Sequence, residues 1–322
     1  MKALLFGLLL LLPAATWAWD DGRLSMPLRV NGLTIPYPVF SIFIMPGSNI
    51  LVEFDNSAQR PLLRQDGAAL EPGDGPLVAP AVHGHSVLEV ENRETGEIAR
   101  LKVFTLLPAT RVDASGILNG YRIGAYPVTP LRGEAIYLPP EGFVELTQEL
   151  AELQLSPNFR LGQFAAKQAS DYPKYLVLRA SLLLKLENIL RALNAAGHRT
   201  PRLEIMSGYR TPFYNKAIGN VAYSRHLWGG AADLYIDVDP EDGIMDDLNG
   251  DGVFDRADAQ WLAEFINGMS QRGAFGRRIG GLGVYGGNSA HGPFVHVDVR
   301  GTRARWCPGG VSSEAALSFA AL

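Results

Sequence analysis

The chain has a single cysteine, Cys307, among its 322 residues. No intramolecular disulfide can form, so stability has to come from core packing and from bound ions. Cys307 itself reads as an inert or buried thiol. Basic charge is not in excess: 29 Lys and Arg against 33 Asp and Glu give a formal net charge of −4. That argues against non-specific nucleic-acid binding, which needs a basic footprint. Beyond the first residues no apolar stretch approaches the ~20 residues of a membrane-spanning helix. Internal repeats and low-complexity segments are also missing. Hydrophobic residues make up 47% of the chain, enough for one large or two ordinary globular domains.

The first eighteen residues form a pattern of their own. Lys2 gives a positive start, Leu4 to Leu12 is apolar apart from Gly7, and Pro13 follows. Small residues then lead to Thr16-Trp17-Ala18, which reads as a signal-peptidase site. Residues 1–18 are therefore expected to be a signal peptide cleaved near Ala18. The mature protein is expected in the periplasm or secreted, without a lipid anchor, since no cysteine lies near the cleavage point.

Residues 19–130 carry strand signals. Runs such as Ile50–Phe54 and Arg100–Phe104 are separated by Gly, Pro, Asn and Asp, with no helical period. A small all-β domain is expected there, with no readable function. His83 and His85 fall in it as loop residues without a third ligand partner. Pro127, Pro130, Pro139 and Pro140 mark a joint, and residues 131–322 are expected to form a second, mixed domain. Within it Leu178, Leu182, Leu186, Leu190 and Leu193 recur at helical spacing. The pattern predicts an amphipathic helix from Pro173 to Ala196. Ser170 or Asp171 would cap it, Pro173 would fill the first turn, and Gly197 would take the C′ position. His198 then sits at the helix end. Strands are predicted at 202–206, 232–238 and 295–300. In the last, the valines point one way and His296, Asp298 and Arg300 the other.

Two of the six histidines sit where a metal ligand would. His226 is followed by Leu227-Trp228-Gly229-Gly230-Ala231-Ala232-Asp233. A turn through these small residues lets imidazole and carboxylate converge. Taken alone, His226 fits a packed residue equally well. His296, on the polar face of a valine-backed strand, supplies a third donor. Two histidines, one carboxylate and an open fourth position make a catalytic rather than a closed structural zinc site.

Ser224-x-His226-x-x-Gly229-x-Ala231-x-Asp233 resembles the Ser-x-His-x-x-Gly-x-Ala-x-Asp motif of the zinc D-Ala-D-Ala peptidases. That family is grouped with lysostaphin-type enzymes and the hedgehog fold. Ser207-Gly208-Tyr209-Arg210-Thr211-Pro212 is similar to the family's Ser-Gly-Tyr-Arg segment. Phe294-Val295-His296-Val297-Asp298 resembles the closing strand of its murein endopeptidase branch. The resemblance covers roughly Gly142 to Trp306. It implies an α+β fold, an antiparallel sheet with helices, preceded here by the all-β domain. It also implies Zn2+ on His226, Asp233 and His296, with Arg210 near the substrate to stabilise an oxyanion. The implied substrate is the stem peptide of peptidoglycan, cut beside a D-amino acid, with endopeptidase favoured over carboxypeptidase. Several relatives carry an acidic base three residues before the last histidine, where this chain has Pro293. His291 and Asp298 are the alternatives for the base, although Asp298 also fits a role in orienting a ligand.

Asp247-Leu248-Asn249-Gly250-Asp251-Gly252-Val253-Phe254-Asp255-Arg256-Ala257-Asp258 follows a calcium-loop pattern that resembles dockerin-type loops. Asp247, Asn249, Asp251, Asp255 and Asp258 would offer side-chain oxygens and Val253 its carbonyl, around the sharp turn at Gly252. A structural Ca2+ is expected there, in an insertion at about 237–258. The expected function is a zinc peptidase of the cell wall. A non-catalytic zinc- and calcium-bound wall-binding module is one alternative, and a calcium-dependent adhesion protein using the β domain is another.

Overall fold

The computed structural model describes residues 19–54, 60–70 and 77–307. The expected signal peptide, residues 1–18, lies outside them. Among the described residues no helix is long and apolar enough to cross a membrane. The architecture is mixed α+β, rich in strands and sparing in helices.

The N-terminal part is built on a five-stranded sheet. Its strands are β1 (Val39–Ile44), β2 (Leu62–Gln65), β3 (Ala68–Ala69), β4 (Gly84–Glu91) and β5 (Ile98–Thr105), in the order β1-β5-β4-β2-β3. β5 shows why. Ala99, Leu101 and Val103 alternate inward, while Arg100 points outward to meet Glu89 across the ladder at 3.0 Å. The expected run at 50–54 is split at Leu51, which is 60% exposed, into the strands Asn49–Ile50 and Val52–Phe54. His83 pairs with Glu145 at 3.5 Å, and the His85 ring packs on Phe104.

β6 (Gly142–Leu146) pairs with β7 (Lys174–Leu176). That pairing corrects the expected helix start. Residues 174–176 are committed to a ladder, so helix α1 spans Ala180–Ala195 and Arg179, not Ser170 or Asp171, stands at its N-cap. Leu178 is buried outside the helix. The C-terminus ends as expected, with Gly197 at φ +92°. α1 is buried on nearly every side, charged residues included: Leu182, Leu183, Leu186, Ile189, Leu190, Leu193, Lys185 and Glu187 are all inaccessible. One continuous hydrophobic cluster runs from Leu28 and Phe40 in the N-terminal part, through α1, to Val295 and Val297.

The second five-stranded sheet consists of β8 (Glu204–Ser207), β9 (Ala231–Tyr235), β10 (Gly281–Tyr285), β11 (Phe294–Asp298) and β12 (Ala304–Trp306), in the order β8-β9-β11-β10-β12. All neighbours are antiparallel except β10 and β12. The short helix α2 (Pro212–Ala217) follows β8, and α3 (Arg256–Gln271) packs on the sheet against β10 and β11. β9 ends at Tyr235. Asp237, within the strand expected at 232–238, lies past the end, where its carboxylate accepts the backbone N–H groups of Asp242 and Gly243.

Candidate metal centre

The sheet register brings the three donors together. Asp233 on β9 is directly opposite His296 on β11, and Ser207 on β8 is opposite Asp233 from the other side. His226 arrives from a single turn of 3-10 helix, Arg225–Trp228, that precedes β9. Gly229 ends that turn at φ +60°, and a Cβ there would lie 2.2 Å from the Val177 carbonyl oxygen. Only glycine permits both the left-handed backbone and this approach.

The three ligating atoms form a tight triangle. His226 Nε2 is 3.2 Å from Asp233 Oδ1 and 3.1 Å from His296 Nδ1, and the last two are 2.9 Å apart. A tetrahedral ion with ligands at ~2.0–2.1 Å separates them by about 3.3 Å, so the triangle has the right size. The protons are accounted for elsewhere. His226 Nδ1–H donates to the Gly208 carbonyl at 2.6 Å, and His296 Nε2–H faces Asp298 Oδ2 at 3.3 Å. Each ring therefore turns a lone pair toward the ionised Asp233. In the tautomers with His226 Nδ1–H and His296 Nε2–H, three lone pairs converge in a buried space, which is the donor set of a cation. Among the described residues, His226, Asp233 and His296 are the one group of three His, Cys, Asp or Glu side chains that can hold a metal.

The electrostatics agree. Burial alone would raise the Asp233 pKa, but the adjoining His226 and His296 hold it well below the usual carboxylate range. Burial pulls His226 down and keeps it neutral. His296 is pulled down by burial too, but Asp233 and Asp298 outweigh that and raise it.

The surrounding shell is dense. Asp233 Oδ2 accepts from Arg210 Nη2, and Arg210 Nε donates to Ser207 Oγ at 2.9 Å. Arg210 thus lies beside the triad, as expected, with part of its fork committed to Asp233. Asp298 is fully buried behind His296. Its oxygens accept the Gly281 N–H (2.8 Å), the Arg300 N–H (3.0 Å) and the Arg300 guanidinium. His291 touches none of the three donors. Its Nδ1–H bonds the Gly292 carbonyl, Nε2 meets the Asn288 amide, and its ring edge rests on Phe294.

Three contributors escaped the sequence reading. The Gly208 carbonyl fixes His226. Trp306 lies 5.1 Å from the His296 ring, in space kept open by Gly283, where a Cβ would come within 2.4 Å of the indole nitrogen. A glycine inside a strand is the signal that pointed there. Lys185, buried in the middle of α1, donates to the Asp298 carbonyl at 2.8 Å, and burial lowers its pKa to about 8. Nothing in the leucine period of α1 marks it.

The expected calcium loop is not supported. Asp247, Asn249, Asp251, Asp255 and Asp258 bring no three carboxylates together. Their oxygens accept backbone N–H groups instead: Asp247 from Gly250, Asp251 and Gly252, Asn249 from Asp251, and Asp251 from Val253. Asp255 and Asp258 form a capping box at the start of α3, and Asp258 also binds the Leu248 and Asn249 N–H groups. Val253 sits exposed on the loop.

The family model for Peptidase M15 matches residues 154–246. The match supports the M15 zinc peptidases, a zinc-dependent family similar to D-Ala-D-Ala carboxypeptidases, and with them a metallopeptidase activity directed in general at peptidoglycan. It contains Arg210, His226 and Asp233 and ends before His296. No curated protein matches the chain.

Proposed function

We propose that this protein is a zinc peptidase that hydrolyses a peptide bond beside a D-amino acid in peptidoglycan stem peptides. The observation that carries the proposal is the convergence of three buried lone pairs at 2.9–3.2 Å on His226, Asp233 and His296. A zinc ion held there supplies Lewis acidity toward the scissile carbonyl and lowers the pKa of water at the open position to ~7.

The chain's own residues set the geometry. The Gly208 carbonyl and Asp298 fix the two rings in the tautomers that expose a lone pair. Arg210 holds Asp233 through Nη2, which leaves Nη1 to meet the oxygen on which charge develops. Asp298, with both oxygens filled and its carboxylate held ionised by His296 and Arg300 against burial, orients His296 rather than taking a proton. His291 is the remaining candidate for the base. Its Nδ1–H is spent on Gly292, so Nε2 carries the lone pair, which accepts from the Asn288 amide and has to be released from it before taking a proton. Cleavage of cross-links is favoured over trimming of peptide ends, on the likeness of β11 to the endopeptidase strand. The site of action is outside the cytoplasm, following the leader pattern at residues 1–18.

Pro293 favours a second reading, a zinc-bound wall-binding module without turnover. One experiment separates the two. Intact peptidoglycan is digested with the wild type and with His296→Ala, and the products are identified by mass spectrometry. Fragments released by the wild type alone support the peptidase. Zinc binding with no fragments supports the module, and undiminished release by His296→Ala removes the zinc mechanism.

A further inference from the structure

The turn that carries His226 is gripped from outside by a strap of chain, residues 126–138, that precedes the family-matched segment. Three carbonyl groups and one hydroxyl of the strap make the grip. Tyr126 Oη donates to the Leu227 carbonyl at 2.9 Å, and Tyr209 in turn donates to Tyr126 at 2.8 Å. On the other side of the turn Trp228 Nε1 donates to the Leu138 carbonyl at 2.8 Å. Arg225 Nη1 reaches the Ile136 carbonyl at 3.0 Å, and the Tyr223 hydroxyl reaches that of Thr129 at 2.9 Å. Arg179 closes the loop by donating Nε to the Trp228 carbonyl, beside the Gly229 reversal.

The packing is as specific as the hydrogen bonding. Tyr137, Leu227 and Trp228 form a hydrophobic cluster separate from the main core, with Tyr126, Leu131, Ile136 and Tyr223 around it. Every member comes from the strap or from the turn. The Arg225 guanidinium packs over both the Tyr137 and Trp228 rings, 4.7 and 5.6 Å from their centroids. It is 2% exposed, and burial lowers its pKa to about 10. A buried cation flanked by aromatic faces and tied to a carbonyl fixes the angle of its backbone. That backbone is one residue from His226.

We infer that Tyr126 and Arg225 are positioning residues for the metal. The strap and its aromatic cluster set where His226 Nε2 points, so the affinity of the centre depends on chain that the family match leaves out. The inference rests on the zinc reading above. It differs from a claim of general stability because the contacts end on Tyr223, Arg225, Leu227 and Trp228 around His226, and on Tyr209, and not on the strands that carry Asp233 and His296.

The test is zinc affinity in the full chain, measured by competition with a chromophoric chelator far below the unfolding temperature. The cobalt-substituted absorption spectrum serves as a second readout. Tyr126→Phe keeps the ring and removes one hydroxyl. Trp228→Phe removes one N–H, and Arg225→Lys keeps charge but loses the fork. Each is expected to weaken zinc about tenfold or more, the range found for groups that orient a ligand, and to shift the cobalt bands. Leu88→Ala, in the core of the N-terminal sheet, is the control. It is expected to lower the unfolding temperature and leave zinc affinity unchanged. Affinity within twofold of wild type in the variants that fold, or an equal loss in Leu88→Ala, overturns the inference. Failure of the wild type to bind zinc overturns the functional reading instead.

Discussion

The turn Ser224–Asp233 and the acidic loop 247–258 both wrap short, glycine-broken chain around carboxylates, and they dispose of those carboxylates in opposite ways. In the turn, Asp233 meets two imidazole lone pairs and one guanidinium, so a donor triangle is left over for a cation. In the loop, the acidic residues spend oxygens on backbone N–H groups two to ten residues away, and Asp251 Oδ2 accepts the Asn249 amide. Ligand residue types in register are therefore not sufficient for a metal site. What counts is whether the fold leaves their lone pairs unspent. A third carboxylate completes the contrast. Glu187, buried in α1, accepts from the Asn158 N–H and amide at 2.8 and 2.7 Å, and burial raises its pKa to about 7. A buried acid beside cationic or proton-donating rings ionises, whereas one beside neutral amides retains its proton.

The largest effect is expected at the turn. His226→Ala removes one donor of three and should abolish stoichiometric zinc in the purified protein, with activity on muropeptides falling by more than the ~100-fold ceiling for outer groups. Metal analysis by plasma mass spectrometry checks the first part, and retained zinc would break the contrast.

Glu187 comes next. Its folded pKa lies above the unfolded value, so between pH ~4.3 and about 7 the native state holds a proton that the unfolded chain has released. Stability falls as pH rises through that window, by roughly 4 kcal/mol at ~1.4 kcal/mol per pKa unit. Glu187→Gln should flatten the slope, gaining on the wild type between pH 5 and pH 8 in urea unfolding. Parallel curves for the two proteins would show Glu187 to be ionised throughout.

Asp298→Asn tests the partner of His296. The amide no longer fixes the Nε2–H tautomer, and zinc affinity should drop about 10- to 100-fold, as read by chelator competition. The smallest effect belongs to the loop. Asp255→Ala removes a helix cap and should cost about 1 kcal/mol. Millimolar calcium should leave the unfolding temperature unchanged in both proteins. A rise of several degrees that disappears in Asp247→Ala would place an ion in the loop after all.

The donors of the metal centre were legible because short-range constraints write them into contiguous chain. Small residues allow the turn after His226, and a valine face anchors the strand of His296. The start of α1 was misread for the opposite reason. Lys174–Leu176 continues an apolar pattern that suits a helix, and only the distant ladder with Val144–Leu146 claims it for a sheet. Lys185 was hidden by its own helix, since a lysine among leucines reads as a solvent face until a carbonyl 113 residues away is found above it. Tyr126 was invisible for the same cause, its partner lying 101 residues downstream.

The spacing of the donors along the chain also governs when the centre can come into being. His226 and Asp233 are 7 residues apart, whereas His296 lies 63 beyond Asp233. During folding, the first two can meet through local turn formation, but they make only a half-site. The third must wait for β11 to dock, which demands closure of a long loop. Residues 237–258 make up about a third of that loop and add only roughly 0.4 kcal/mol of closure entropy. A zinc ion on these three donors would then be captured last in assembly, and tight zinc binding would report that both ends of the sheet have found each other.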